Sequence, residues 1–214
     1  MVAEQLADRP KLLADPLARA QRRAQLREPH VGPLAAYVEQ LRLEIGSQGA
    51  VPDFDPWDGG VTAELLYLLE APGAKAVMSG FVSRNNPDET AKNFFEFNVA
   101  AGIDRRCTVV WNIVPWYIGS GRRIRAAGRT DIEAGLLSLA HVLAMLRQLR
   151  AVVLLGRKAE RAGKLISRLR PDLRLFRTPH PSPLFVNNAP GNRDRIIDVL
   201  RDVERFLSLR ETAV

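Results

Sequence analysis

Three polar side chains stand where apolar runs of the sequence end, and their types suit acid–base and hydrogen-bonding chemistry. Glu70 follows the mostly apolar run 63–69, Asn112 follows a second run, and His180 follows a third. A carboxylate can orient or deprotonate water, an amide can read donors and acceptors, and a histidine can donate to a developing anion. Each also has a simpler interpretation: a solvated glutamate in a turn, an asparagine that caps a turn, and a histidine in a proline-rich surface turn.

The alternation of strand and helix patterns predicts the elements that position these residues. Strands are predicted at 63–69, 107–112, 151–155 and 173–177, and helices at 15–28, 33–45, 90–101, 131–150, 158–169 and 192–207. Such alternation is typical of right-handed crossovers and a parallel sheet covered on both faces. We therefore predict an α/β fold: a three-layer α/β/α sandwich with a central, mainly parallel four-stranded sheet and an N-terminal helical extension.

Helix capping and domain organisation follow from the turn-forming residues. Asp15, followed by Pro16, is predicted to cap the first helix, and Thr130 the fourth. A loop rich in Gly, Pro and Asp at 46–60 divides the chain into an extension, 1–60, packed on an α/β domain, 61–214.

Two long loops, 73–89 and 113–129, follow the first two strands of the predicted sheet. Loops of this length in a compact domain are usually functional. The carboxyl ends of parallel strands meet at one edge of a sheet, where ligands bind. We therefore expect Glu70, Asn112 and His180 to lie together beside these loops.

Charge and cysteine content limit the kinds of binding partner and the kinds of site that the chain can have. The net charge is +7 and the sequence pI is about 10.2, with arginine as the main cation. This balance favours a polyanion, nucleic acid before an anionic membrane surface. The single cysteine, Cys107, excludes an internal disulfide and any site built only of cysteines. No charged-then-apolar leader and no long apolar run is visible, so we expect a soluble, cytoplasmic protein with no membrane partner.

Four sequence strings together resemble the uracil-DNA glycosylase superfamily. His-Pro-Ser-Pro-Leu at 180–184 resembles its second motif, and Glu-Ala-Pro-Gly at 70–73 resembles the first motif of its iron–sulfur branch, usually Gly-Glu-Ala-Pro-Gly. Gly-Phe-Val at 80–82 falls where that branch has an aromatic residue, and Val-Trp-Asn-Ile-Val at 110–114 resembles its Thr-Asn-Val-Val segment. The matches occur in order and at family-like spacing over about residues 63–205.

The resemblance implies an enzyme that flips uracil out of DNA and hydrolyses its N-glycosidic bond. Uracil-containing DNA would be the substrate, free uracil and an abasic site the products, with a monomeric protein and neither metal nor cofactor. Glu70 and His180 would be catalytic, acting on water and on the departing base. Gly73, Phe81 and Asn112 would bind uracil, with Phe81 stacking on it unless that ring belongs to the core.

The same resemblance implies contacts to the DNA backbone. Ser182 would press on phosphates, Leu184 would wedge into the gap left by the base, and three arginines would grip the strand: Arg122, Arg123 and Arg125. The other interpretation of this arginine loop is a solvated basic segment.

Several positions depart from the family pattern. Leu69 replaces the first glycine, and Ala71 stands where the best-known branch has an aspartate that acts on water. Gly73 stands where that branch has a tyrosine that blocks thymine. Arg125 replaces a histidine of a branch that becomes trapped on DNA, so we predict turnover. With one cysteine the cluster ligands are missing, and residues 1–60 are expected to brace the domain instead.

Other functions fit parts of the pattern. A glycosylase for hypoxanthine or xanthine would use the same fold, and Gly73 leaves room for it. A non-catalytic DNA-binding protein of this fold would keep affinity without producing abasic sites. A nucleotide-binding α/β protein would share Glu-Ala-Pro-Gly, but the chain has neither a Gly-x-Gly-x-x-Gly nor a Walker-type loop.

Overall fold

The structure is a computed structural model, and it describes residues 6–46, 49–120 and 123–209. The helices are α1 (Pro16–Ala24), α2 (Gly32–Ile45), α3 (Ala74–Ser79), α4 (Glu89–Ala101), α5 (Arg129–Met145), α6 (Gly163–Leu169), α7 (Pro183–Val186) and α8 (Asn192–Ser208). The strands are β1 (Asp53–Phe54), β2 (Leu65–Leu69), β3 (Phe81–Val82), β4 (Thr108–Asn112), β5 (Gly119–Ser120), β6 (Arg123–Ile124), β7 (Ala151–Leu155) and β8 (Arg174–Thr178).

The central sheet confirms the predicted fold class. Its four strands lie in the order β4-β2-β7-β8, and each neighbouring pair is parallel. Helices α4 and α8 pack against each other, and α2, α5 and α6 pack in sequence as a second layer. The central strands are buried apolar segments, as expected for a parallel sheet covered on both faces. The three-layer α/β/α sandwich therefore forms as predicted.

The first helix of the N-terminal extension does not bury its most apolar side chain. Asp15 caps α1 as predicted, accepting a hydrogen bond from the backbone N–H of Leu17. Leu17 itself is 58% exposed, and the buried face instead presents Ala18 and Arg22. An apolar pattern could not reveal this face, because Arg22 is buried through an ion pair with Asp55.

Three predicted loops contain short elements. Strand β1 pairs in parallel with β3, which joins the segment 46–60 to the segment 73–89. Strands β5 and β6 form an antiparallel hairpin. The predicted cap at Thr130 is wrong, because α5 begins at Arg129, two residues before the predicted start. Gly128 occupies the cap position, and the Asp131 carboxylate accepts its N–H at 2.7 Å.

Side chains of the extension belong to the same hydrophobic core as the sheet. Val38 and Phe54 are buried in one cluster with the strands. The ring of Phe54 stacks on Trp111 of β4, with centroids 3.9 Å apart. Within the described residues, no helix is both long and apolar enough to cross a bilayer.

Candidate active site

A cavity of about 440 Å³ opens where β2, β4 and β8 end. The predicted site residues that line it are Glu70, Gly73, Asn112, Arg125 and His180. This convergence follows from the parallel sheet, since Leu69 and Asn112 are register partners in adjacent strands. Separate segments of the chain therefore bring a carboxylate, an amide and an imidazole to one cavity.

Asn112 lines the cavity and has a buried amide nitrogen without a partner in the described chain. The side chain is 3% exposed, and its Nδ2 has no hydrogen-bond partner among the residues that the structure describes. Strand alternation sets its direction: Val110 and Asn112 face the cavity, whereas Trp111 between them faces the stack with Phe54. A buried amide without a partner is costly, so this N–H₂ group is suited to an incoming acceptor.

Glu70 is fixed by the backbone of the arginine loop, which we define as residues 113–128. Its Oε1 accepts the N–H of Ala127 at 2.7 Å, and the carbonyl of Ala127 accepts a hydrogen bond from Lys158 Nζ at 2.5 Å. Glu70 Oε2 has no hydrogen-bond partner within the described part of the chain. One oxygen therefore anchors the carboxylate and leaves the other free for the cavity.

His180 reaches the cavity as a neutral ring. Burial lowers its pKa below the usual value of 6.5, and the opposing effects of the Glu70 and Asp88 carboxylates do not cancel this. Its Cβ lies beside Gly156, where an added Cβ would come within 3.2 Å and the backbone φ is +85°. A neutral imidazole at this position can donate one N–H without bringing a positive charge.

Asp88 and Phe94 are cavity residues for which the sequence predicts no role. Asp88 lines the cavity, and its Oδ1 caps α4 by accepting the N–H of Ala91 at 2.9 Å. Phe94, on the same helix, also lines the cavity. The signal for Asp88 was present, because an Asp before a helical pattern is an N-cap candidate. The prediction of a single long loop at 73–89 leaves this N-cap signal out.

The prediction that Phe81 stacks on the base requires correction. Its ring is fully buried in a second cluster with Leu12, Leu13 and Ala18 of the extension, away from the cavity. Successive residues of a strand point to opposite faces, so Val82 faces the cavity and Phe81 does not. Phe94 is the aromatic side chain of the cavity wall.

Gly73 borders the cavity on an unobstructed side. A Cβ built at this glycine has no heavy atom within 4 Å, and its backbone φ of −78° is accessible to any residue. The glycine is therefore not required by the backbone. Its effect is to leave space in the cavity.

Comparison with known families identifies the chain. Residues 56–204 match the family model of the uracil DNA glycosylase superfamily. The chain belongs to this superfamily. No curated protein matches the chain. Membership supports a uracil-DNA glycosylase-like function in DNA repair, without defining the base that is removed.

The chain does not fit the iron–sulfur cluster of the superfamily branch that its first motif resembles. Such clusters are held by several thiolates, and the chain has only Cys107. Burial raises the pKa of this thiol to about 11, which disfavours the thiolate that a metal ligand requires. Among the described residues, no three His, Cys, Asp or Glu side chains cluster as metal ligands do.

Of the residues predicted to contact DNA, one lines the cavity, two lie outside its lining, and the others are not fully described. Arg125 lines the cavity and forms a two-pronged ion pair with Asp131 at 2.5 and 2.8 Å. Leu184, on α7, is 85% exposed, and Ser182 caps that helix through the N–H of Phe185. Arg122 and the side chain of Arg123 lie outside the described residues.

Proposed function

We propose that the chain is a monofunctional uracil-DNA glycosylase that hydrolyses the N-glycosidic bond of a flipped deoxyuridine. The supporting observation is the unpaired amide of Asn112, buried at the cavity beside a neutral histidine. The amide donates to uracil O4 and accepts from N3–H. Cytosine presents the opposite pattern at both positions, so a fixed amide leaves its polar groups unsatisfied.

His180 stabilises the departing base. As the glycosidic bond breaks, negative charge grows on uracil O2, and a neutral imidazole N–H donates to this oxygen. Phe94 supplies an apolar wall beside the base. Flipping is required because the reacting carbon is not accessible inside the duplex.

Two anchored carboxylates act on the sugar side. Glu70 is fixed by Ala127 and positions the attacking water with its second oxygen. Asp88 is fixed by Ala91 and adds negative potential beside a sugar with oxocarbenium character. Each carboxylate uses one oxygen for its anchor, which restricts the position of the other.

The cavity mouth provides the DNA contacts. Arg125 exchanges Asp131 for a phosphate, and Leu184 fills the gap that the flipped base leaves. Ser182 holds the short helix that carries Leu184. The DNA partner and a monomeric state belong to this proposal.

Removing His180 tests the proposal. The His180→Ala variant is expected to release uracil about 10²-fold more slowly under single-turnover conditions, because a donor to the developing oxyanion is lost. The measurement is free uracil and abasic sites from a duplex with one uracil. His141→Ala is the matched control, since His141 stacks on Tyr37 away from the cavity. DNA binding without any abasic product from the wild type would instead favour a non-catalytic DNA-binding protein.

A second candidate function, release of hypoxanthine or xanthine, is favoured by one observation. The space at Gly73 and the cavity volume of about 440 Å³ accommodate a base larger than a pyrimidine. The same chemistry at His180 and the carboxylates would serve a purine.

Filling the space at Gly73 distinguishes the two candidates. The Gly73→Tyr variant is expected to keep its unfolding temperature, because the new side chain meets no neighbour at Cβ. It should keep release of uracil and lose any release of hypoxanthine, xanthine or thymine, since the ring narrows the cavity. Parallel assays on duplexes with each base provide the measurement, and Gly73→Ala is the control. Equal loss of all bases would show that the tyrosine blocks the site as a whole.

A further inference from the structure

A cluster of charged side chains is buried between the extension and the α/β domain, and the proposed chemistry does not use it. Its members, here called the buried charge cluster, are four buried residues, Arg22, Asp55, Asp58 and Arg84, and Arg105, whose side chain is 11% exposed. Asp55 is 1% exposed and pairs with both Arg22 and Arg105. Burial raises the pKa of Asp55, but the two guanidinium groups outweigh it and hold the pKa below the usual range.

The buried charge cluster is bonded directly to the cavity loop, defined here as residues 83–88. Ser83 donates its hydroxyl to Asp55 Oδ2. The side-chain oxygen of Asn85, Oδ1, accepts from Arg22 at 3.2 Å and from Arg105 at 2.6 Å. The loop is therefore hydrogen-bonded to α1, to the segment after β1 and to Arg105 just before β4.

Residues 8–13 of the extension also form hydrogen bonds with Asn85 of the cavity loop. The Leu13 N–H donates to the Asn85 carbonyl at 3.0 Å, and the Asn85 amide donates to Asp8 and to the Arg9 carbonyl, both at 2.7 Å. Asn85 is fully buried by these contacts. The loop is therefore held from the side opposite the cavity.

The cavity side of the loop carries site residues. Ser83, Asn86 and Asp88 all line the cavity. The hydroxyl of Ser83 and the amide of Asn86 are both committed to internal hydrogen bonds. Only Asp88 presents an oxygen that has no hydrogen-bond partner in the described part of the chain.

We propose that Arg22, acting through Asp55 and Ser83, is a positioning residue that sets the place of the Asp88 carboxylate in the cavity. The N-terminal extension thereby contributes to the active site by positioning one of its carboxylates. This inference rests on the proposed function, because it assigns Asp88 a role in the same reaction. A carboxylate aimed at a reacting centre loses its effect when its support shifts by about 1 Å.

Two variants weaken the connection at different points. Arg22→Lys keeps a charge beside Asp55 but loses the fork that also reaches Asn85. Ser83→Ala leaves the buried ion pairs intact and removes the hydroxyl that joins Asp55 to the loop and also accepts the Asn85 N–H. It therefore decides the outcome if Arg22→Lys does not fold. Each is expected to lower the saturating single-turnover rate of uracil release about tenfold. Arg23→Lys, at the exposed neighbouring position on α1, is the matched control and should match the wild type.

The Asp88→Asn background separates positioning from general weakening of the fold. If Ser83 acts through Asp88, Ser83→Ala should slow the Asp88→Asn variant less than about twofold, because coupled residues are not additive. The same tenfold factor in both backgrounds, or wild-type rates for both variants, would overturn the proposal.

Hydrogen exchange gives a readout that does not depend on catalysis. The backbone amides of residues 83–88 should exchange faster in Arg22→Lys and Ser83→Ala than in Arg23→Lys, at a temperature well below unfolding. If the wild type releases no uracil, the proposed function fails, and exchange still decides whether the extension fixes the loop. Unchanged exchange would overturn the positioning role.

Discussion

The Asn112→Ala variant should release uracil about 10³-fold more slowly than the wild type, with its unfolding temperature nearly unchanged. The amide nitrogen has no partner in the described residues, so alanine removes no internal hydrogen bond from Nδ2 and relieves an unsatisfied polar group. The substitution should therefore weaken only the interaction with the substrate. The uracil edge loses the donor and the acceptor that Asn112 supplied, so the polar groups of uracil stay unpaired. Single-turnover kinetics at saturating enzyme, with thermal unfolding alongside, measure both quantities.

Asn112→Asp is the sharper companion variant. Aspartate has nearly the same shape but only accepts hydrogen bonds, so it repels uracil O4. It should be as inactive as the alanine variant and, unlike it, less stable, because an unpaired charge is buried at a 3% exposed position. A variant of either kind that retains the wild-type rate would remove Asn112 from the base-binding set.

The Glu70→Gln variant should also lose about 10³-fold in the chemical step, a typical range for a group that acts on water. Glutamine can still accept the Ala127 N–H through its oxygen, so the arginine loop should stay in place. It then presents an amide where the free carboxylate oxygen was, and an amide neither takes a proton nor attracts a cationic sugar. The measurement is the single-turnover rate as a function of DNA concentration. It gives two quantities for each variant, the saturating rate and the DNA concentration at half-saturation.

The distribution of the effect identifies the role of Glu70. A lower saturating rate with unchanged half-saturation supports action on water. Weaker DNA binding with an unchanged saturating rate would show that Glu70 serves only to fasten the loop. Glu133→Gln is the control, since Glu133 is an exposed glutamate on α5 that pairs with Arg129.

The sequence alone predicts the central sheet and the convergence of Glu70, Asn112 and His180 at one edge of it. Strand β7 was predicted residue for residue at Ala151–Leu155, because a short apolar run between turn signals has a strong pattern. Parallel strands then fix the edge at which their final residues meet. No knowledge of side-chain contacts was needed for that step.

Features that depend on distant pairing were not predictable. Strands β1 and β3 have two residues each, too few for any periodicity, and they exist because they pair with each other. For the same reason the sequence could not tell that Val82 faces the cavity and Phe81 does not. Arg22 is a polar residue on a helix until its partner Asp55, 33 residues away, is known.

Ala127 connects the proposed DNA contact at Arg125 to the position of Glu70. The N–H of Ala127, in the peptide with Ala126, bonds Glu70, and its carbonyl, in the peptide with Gly128, bonds Lys158, while Arg125 lies two residues before it in the same loop. Because the N–H that holds Glu70 lies only two residues from Arg125 in the chain, movement of the loop toward a phosphate is expected to move this donor as well. In the proposed reaction, contact of Arg125 with DNA and the position of Glu70 are therefore coupled, so DNA binding is expected to change where the carboxylate holds its water.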